Sequence, residues 1–110
     1  MAKVKVERAW GKVEEMELLK AYEGHYEVEF TFNGKHFYLT TDYQKDVKRH
    51  VKVFSESEFL LADEPEPMYE VRNSKESGRL PNGMSIMVWE AMKLGHKKAE
   101  SGTAYFKLGW

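Results

Sequence analysis

The chain has 110 residues, of which 42% are hydrophobic and 32% are charged, and its formal net charge is -1. These proportions are typical of a folded globular protein and exclude a chain that stays disordered for lack of apolar residues. This length favours one domain, residues 1–110, built on one core. The near-neutral charge excludes a bulk attraction to nucleic acid or anionic lipid.

The sequence contains no cysteine, which excludes disulfides, thiolate zinc sites and thiol nucleophiles. The N-terminal residues alternate charged and apolar side chains instead of forming the apolar stretch of a signal peptide. No run approaches the roughly 18 apolar residues that a membrane-spanning helix requires. We therefore expect a soluble cytoplasmic protein with no membrane partner.

The first predicted elements are a strand and a helix. Val4 and Val6 alternate with charged residues, which predicts a strand over residues 4–10. A helix over residues 12–23 is predicted from apolar residues at spacings of three, namely Val13, Met16, Leu19 and Tyr22. Gly24 then follows at the position of a helix C-cap.

The strongest local pattern is a β-hairpin centred on Asn33 and Gly34. An Asn-Gly pair favours a type I′ turn because both central residues of that turn need positive φ. The turn predicts the pairs Phe32–Lys35, Phe30–Phe37, Val28–Leu39 and Tyr26–Thr41. In this register one face of the hairpin is apolar, and the other carries polar residues that include His25, Glu27, Glu29, His36 and Tyr38.

The remaining elements are less uniform. Apolar spacing predicts a short helix over residues 43–54, although residues 50–54 also suit a strand. Residues 55–67 are mixed and contain two prolines, and a strand is predicted over residues 68–72. A polar loop then extends to residue 83. It is followed by a predicted helix over residues 84–99 and a final strand over residues 103–110. The sum is an α+β fold, a single domain with an antiparallel sheet of four or five strands and helices packed on one face.

The polar loop over residues 72–83 is the first candidate binding site. It is longer than most connections in compact domains and leads into a helix N-terminus, which favours anions. Its candidate ligand-binding residues are Arg72, Asn73, Lys75, Arg79 and Asn82. These side chains suit a nucleotide or nucleic acid, with a basic helix end at Lys93, Lys97 and Lys98 as a second contact. The alternative is a loop that is only solvated.

The helix over residues 84–99 is a candidate interface. It carries more apolar residues than one buried stripe requires, so it is either fully buried or shared with a second molecule. The candidate interface residues are Met84, Met87, Trp89 and Met92. They predict a protein partner or a homodimer.

Catalytic chemistry has little support in the sequence. Standard nucleotide-binding and nucleophile motifs are absent, and we expect no cofactor. His25, Glu27 and Asp42 would share one face of the hairpin, which suggests a small metal-assisted hydrolase as one alternative. A solvated sheet face is the other interpretation of these residues.

The sequence therefore favours a non-catalytic binding module over an enzyme. We expect a small intracellular inhibitor or adaptor of the kind common in bacteria and phages, acting through protein–protein contacts. A binder of nucleotide or nucleic acid is the main alternative, and the metal-assisted hydrolase is the third hypothesis.

Overall fold

The computed structural model describes residues 3–22, 25–44, 47–73 and 75–99. Within these residues, seven antiparallel strands form one sheet in which neighbours in the chain are neighbours in the sheet. The strands are β1 (Val4–Glu7), β2 (Val13–Tyr22), β3 (His25–Phe32), β4 (Lys35–Gln44), β5 (Val47–Ser55), β6 (Tyr69–Arg72) and β7 (Lys75–Gly78). Two α-helices accompany them, α1 (Glu56–Leu61) and α2 (Met84–Ala99).

The predicted α+β fold with four or five strands and helices packed on one face is therefore wrong. The described chain is mostly sheet, with seven strands in a simple meander. Of its helices, α2 packs against β2, β3 and β4, whereas the six-residue α1 lies against β4 and β5. Strands β1 and β7 are the two edges of the sheet.

The hairpin around Asn33 and Gly34 is confirmed in its predicted register. Strands β3 and β4 pair Phe32 with Lys35, and the pairs Phe30–Phe37, Val28–Leu39 and Tyr26–Thr41 follow. Asn33 and Gly34 have φ values of 53° and 80°, as the turn requires. The apolar face of this hairpin forms the centre of the core.

The helix predicted over residues 12–23 is wrong, because this segment is strand β2. The pairing with β3 steps from Leu18–Val28 to Lys20–Glu27, so Leu19 is an extra residue in a β-bulge. The bulge interrupts the alternation and leaves apolar residues at helix-like spacings. Glu14 conceals the pattern further, because a carboxylate occupies an inward position of the strand.

The helix predicted over residues 43–54 is also wrong. Strand β5 covers Val47–Ser55, and Val51 and Val53 are fully buried between β4 and β6. The β-branched valines and the alternation from His50 onward favour a strand once neighbouring strands are present. The apolar spacing of three to four residues was therefore incidental.

The predicted loop contains a further strand. Residues 75–78 form β7, which pairs antiparallel with β6, with Arg72 opposite Lys75. Gly78 has a φ of 86°, and a Cβ there would lie 2.2 Å from the Met68 carbonyl oxygen, so only glycine fits this position. The strand predicted over residues 103–110 and the C-cap at Gly24 lie outside the described residues.

The predicted helix over residues 84–99 is confirmed as α2, and it covers the apolar face of the sheet. Its inward side chains are fully buried against the strands: Met84, Met87, Ala91 and Met92. The opposite face of the sheet is polar except where α1 covers it. There, the ring of Phe59 stacks on Tyr38 with centroids 4.5 Å apart.

Candidate functional site

Among the described residues, the polar face of the sheet carries three pairs of histidine and glutamate. The His25 Nε2 lies 3.0 Å from a Glu27 carboxylate oxygen. The His36 Nδ1 lies 3.3 Å from Glu29, and the His50 Nε2 contacts Glu70. Each pair is local, so the three do not form one shared centre.

The metal-assisted hydrolase has no complete ligand set among the described residues. Three or more His, Asp or Glu side chains that could hold a metal ion are not found together in this part of the chain. His25 and Glu27 do lie together, and Asp42 is the register partner of His25. The side chain of Asp42 lies outside the described residues.

Tyr38 belongs to a small network on the same face. Its hydroxyl donates a hydrogen bond of 3.0 Å to Glu29. Burial raises the pKa of Tyr38 to about 12, and the neighbouring carboxylates of Glu29 and Glu56 add to the rise. The phenol therefore stays protonated at neutral pH and acts as a hydrogen-bond donor and packing surface.

The most unusual feature of the molecule is Trp10, at the tip of the turn between β1 and β2. This residue has a φ of 65° and a ψ of 26°, and Gly11 follows with a φ of 74°. The side chain of Trp10 is 97% exposed. Tryptophan is usually highly buried, and a bulky residue at positive φ is a genuine outlier. The fold therefore presents this indole ring to solvent at a conformational cost.

A salt bridge and several hydrogen bonds around Arg8 and Glu14 stabilise the β1–β2 turn. Arg8 and Glu14 form a salt bridge of 2.7 Å, and Glu14 is only 5% exposed. Arg8 also donates a hydrogen bond of 2.8 Å to the Asn33 side-chain oxygen. Its guanidinium carbon lies 4.4 Å from the Phe32 ring centroid. Glu14 in turn accepts hydrogen bonds from the Asn33 backbone N–H and the Thr31 hydroxyl.

These contacts join the β1–β2 turn to the β3–β4 turn. The residues between the turns line an open cavity of about 420 Å³: Lys12, Val13, Glu14, Asn33 and Gly34. Val13, three residues after Trp10 in the chain, is more than half exposed. We call Trp10, Lys12 and Val13, together with this cavity, the Trp10 tip. Its chemistry suits recognition of another surface because it combines an indole, an aliphatic side chain and a cation.

The predicted interface residues of α2 are distributed between core and surface. Met84, Met87 and Met92 are buried against the sheet of the same chain. Trp89 is 38% exposed, and Ile86, one helical turn earlier, is 47% exposed. The apolar excess of the helix is thus largely explained by its own sheet, and the part that reaches the surface is Ile86 with Trp89.

The predicted ligand-binding residues are divided between two ends of the sheet. Arg72, Asn73 and Lys75 lie at the β6–β7 turn and line a cavity of about 400 Å³. Arg79 and Asn82 follow β7, so they lie at the opposite end, where the β1–β2 turn is also found. The structure therefore brings three of the five together.

Sequence reasoning missed the Trp10 tip. It placed Trp10 on an alternating strand, whereas β1 ends at Glu7. A signal was available, because glycine directly after the tryptophan marks a turn. The contact between His50 and Glu70 was also missed, since His50 was assigned to a helix.

Comparisons with protein-family models, curated proteins and solved structures found no match. Among the helices of the described chain, none has the length and apolar character needed to cross a membrane.

Proposed function

We propose that this protein is a non-catalytic binding module, a cytoplasmic inhibitor or adaptor that docks on a protein partner through the Trp10 tip. The observation that carries the proposal is the 97% exposure of Trp10 at a φ of 65°. Left-handed geometry costs a residue with a Cβ about 1–2 kcal/mol. Outliers of this kind are concentrated at functional sites.

The tip is built to keep its shape before binding. The turn is closed by a hydrogen bond of 2.6 Å from the Arg8 N–H to the Lys12 carbonyl. The Arg8–Glu14 salt bridge below it ties the turn to the β3–β4 hairpin. A preorganised anchor loses little conformational entropy on binding, which is a main determinant of affinity.

Burial of the indole supplies the driving force. A tryptophan that enters a partner pocket removes roughly 150–250 Å² from water, which is worth about 4–6 kcal/mol before the costs of association. Tryptophan is also one of the residue types enriched at binding hot spots.

Charge around the tip indicates the chemistry of the partner. Lys12 and Lys35 are exposed and form no ion pair within the described residues, whereas Glu14 is buried against Arg8. Glu7 is the exposed carboxylate next to the turn. The two exposed cations near the tip thus outnumber the one exposed carboxylate. The partner that fits is a protein with an apolar pocket bordered by carboxylates.

The test is a capture experiment with matched variants. The immobilised protein is exposed to an extract of its source cells, and the retained proteins are compared between the parent chain, Trp10→Ala and Trp89→Ala. A partner that uses the tip is lost with Trp10→Ala and retained with Trp89→Ala. With the purified partner, Trp10→Ala should raise the dissociation constant about 30-fold or more, as expected for a hot spot worth about 2 kcal/mol. Equal retention by all three proteins would contradict the proposal.

A further inference from the structure

The β6–β7 turn places two cations directly opposite each other. Arg72 and Lys75 are register partners, and Asn73, the residue after Arg72, has a φ of 51°. Val71, the residue before Arg72, is buried on the core face of β6. Successive side chains of a strand point to opposite faces, so Arg72 and its register partner Lys75 lie on the polar face of the sheet. Like charges at directly opposed positions are destabilising, and a bound anion would relieve this repulsion.

The described residues supply little compensation. Neighbouring positions on the same face hold Lys52, Glu70 and Ser77, which are register partners in the next row of the sheet. Glu70 already contacts the His50 Nε2. No ion pair joins Arg72, Lys75 or Lys52 to a carboxylate in the part of the chain that the structure describes.

The second carboxylate near the turn belongs to the other face. Glu76 is the register partner of the buried Val71. Its side chain accepts a hydrogen bond of 2.5 Å from the Tyr69 hydroxyl. The Glu76 carboxylate is therefore engaged with the Tyr69 hydroxyl, at a register position on the opposite face from Arg72 and Lys75.

An open cavity of about 400 Å³ is present at this turn, lined by Glu70, Arg72, Asn73, Lys75, Glu76 and Ser77. Its volume lies in the range of small-molecule sites, roughly 300–1,000 Å³. The lining offers a guanidinium, an ammonium, an amide and a hydroxyl as donors. It also holds the carboxylates of Glu70 and Glu76, which contact the His50 Nε2 and the Tyr69 hydroxyl. A guanidinium offers two parallel N–H donors to an oxyanion, and a phosphomonoester supplies three acceptor oxygens with a charge of about -1.5 to -2.

We propose that the β6–β7 turn is a binding site for the phosphomonoester group of a small molecule, held between Arg72 and Lys75 with Asn73 and Ser77 as further donors. The cavity has no aromatic side chain in its lining. The phosphate therefore carries the recognition, and the rest of the ligand extends into solvent. This site is at the opposite end and the opposite edge of the sheet from Trp10.

The proposal is tested by NMR titration at constant ionic strength, with inorganic phosphate and adenosine monophosphate as probes. We expect saturable shifts of the backbone amides of residues 72–77 with both probes. Arg72→Ala and Lys75→Ala should each raise the dissociation constant tenfold or more, and Lys75→Glu should abolish binding. Both residues are exposed on an edge hairpin, so circular dichroism should show folded variants.

Arg79→Ala is the matched control, because Arg79 is exposed in the same predicted loop but follows β7 and does not line the cavity. It should leave phosphate binding unchanged, and so should Trp10→Ala. An equal loss with Arg79→Ala, or the same shifts with chloride, would overturn the proposal. A third arm uses a single-stranded oligonucleotide. Tighter binding of the oligonucleotide than of the monophosphate, with a steep salt dependence, would replace the phosphomonoester with a nucleic-acid ligand.

Discussion

Gly95 of α2 lies directly against the ring of Tyr26 on β3. A Cβ at position 95 would be 2.0 Å from the Tyr26 Cδ1 and 2.3 Å from its Cε1. Tyr26 is 1% exposed and surrounded by the core, so its ring has no room to withdraw. This contact sets how closely the helix approaches the sheet.

We therefore expect Gly95→Ala to destabilise the protein, although alanine is the better helix former by about 1 kcal/mol. Overpacking of a core costs about 1–3 kcal/mol, and here it opposes the gain in helix propensity. Urea unfolding of Gly95→Ala and of Lys93→Ala, an exposed position of the same helix, measures the difference. A Gly95→Ala variant more stable than the parent would show that the helix can shift away from Tyr26.

The salt bridge beneath the Trp10 tip gives a second prediction. Arg8→Ala leaves the carboxylate of Glu14 buried without its cation, and breaking a buried pair from one side costs about 3–5 kcal/mol. The double variant Arg8→Met, Glu14→Leu removes both charges and should recover part of that loss, because the Asn33 N–H and the Thr31 hydroxyl still lose their acceptor on Glu14. Thermal unfolding of the single and double variants tests the coupling, with Lys12→Ala as the exposed control. Equal stability of Arg8→Ala and Lys12→Ala would show that the salt bridge contributes nothing.

Alkaline pH should weaken the fold through two tyrosines. The pKa of Tyr38 is raised to about 12 by burial and by Glu29 and Glu56, and the pKa of Tyr69 is raised to about 12 by burial and by Glu76. The ordinary tyrosine pKa is about 10, so above that pH the unfolded chain loses protons that the folded chain keeps. This contribution to stability is fully present below pH of about 10 and is lost as the pH rises toward about 12.

The measurement is the free energy of unfolding in urea between neutral pH and the alkaline range. Tyr38→Phe and Tyr69→Phe should each make its decline with pH shallower than in the parent chain. In the folded parent, ultraviolet absorbance should report tyrosinate formation by these two residues only at the upper end of that range. An unchanged slope in both variants would argue against the raised pKa values.

Self-association through α2 stays a prediction, now restricted to the surface formed by Ile86 and Trp89. If the protein is a dimer, Trp89→Glu should weaken it, because a carboxylate replaces an apolar contact at the interface. Analytical sedimentation of the parent chain and of Trp89→Glu measures whether each one is a monomer or a dimer. A parent chain that is already monomeric at high concentration would end the proposal.

The parts of the fold that could be predicted are those with local causes. The β3–β4 hairpin follows from Asn33 and Gly34, whose turn geometry fixes the register of the residues beside it. The helix α2 follows from a long apolar pattern that begins directly after Pro81 and Gly83. Strand β2 could not be recognised, because the bulge at Leu19 and the buried Glu14 both interrupt its alternation. Strand β5 depends on pairing with β4 and β6, which a local pattern does not contain.

The candidate sites, like the fold, could be predicted from the sequence only in part. The cations of the β6–β7 turn were visible in the composition of the loop, but their opposition required the register of β7. Trp10 could not be assigned to the surface, since exposure depends on where β1 ends and on the network that holds Arg8. Aromatic residues in a small protein are usually core residues, and Gly11 marks a turn beside Trp10 without showing that its ring is exposed.

The two edge strands of the described sheet have a consequence for handling the protein at high concentration. Within the described sheet, β1 and β7 have unpaired backbone groups on one side, which are templates for strands of other molecules. Each edge is only four residues long and carries ionised side chains, Lys5 and Glu7 on β1 and Lys75 and Glu76 on β7. Short charged edges discourage intermolecular β-sheet growth, so these lysines and glutamates protect the chain from amyloid-like aggregation as well as from unwanted partners.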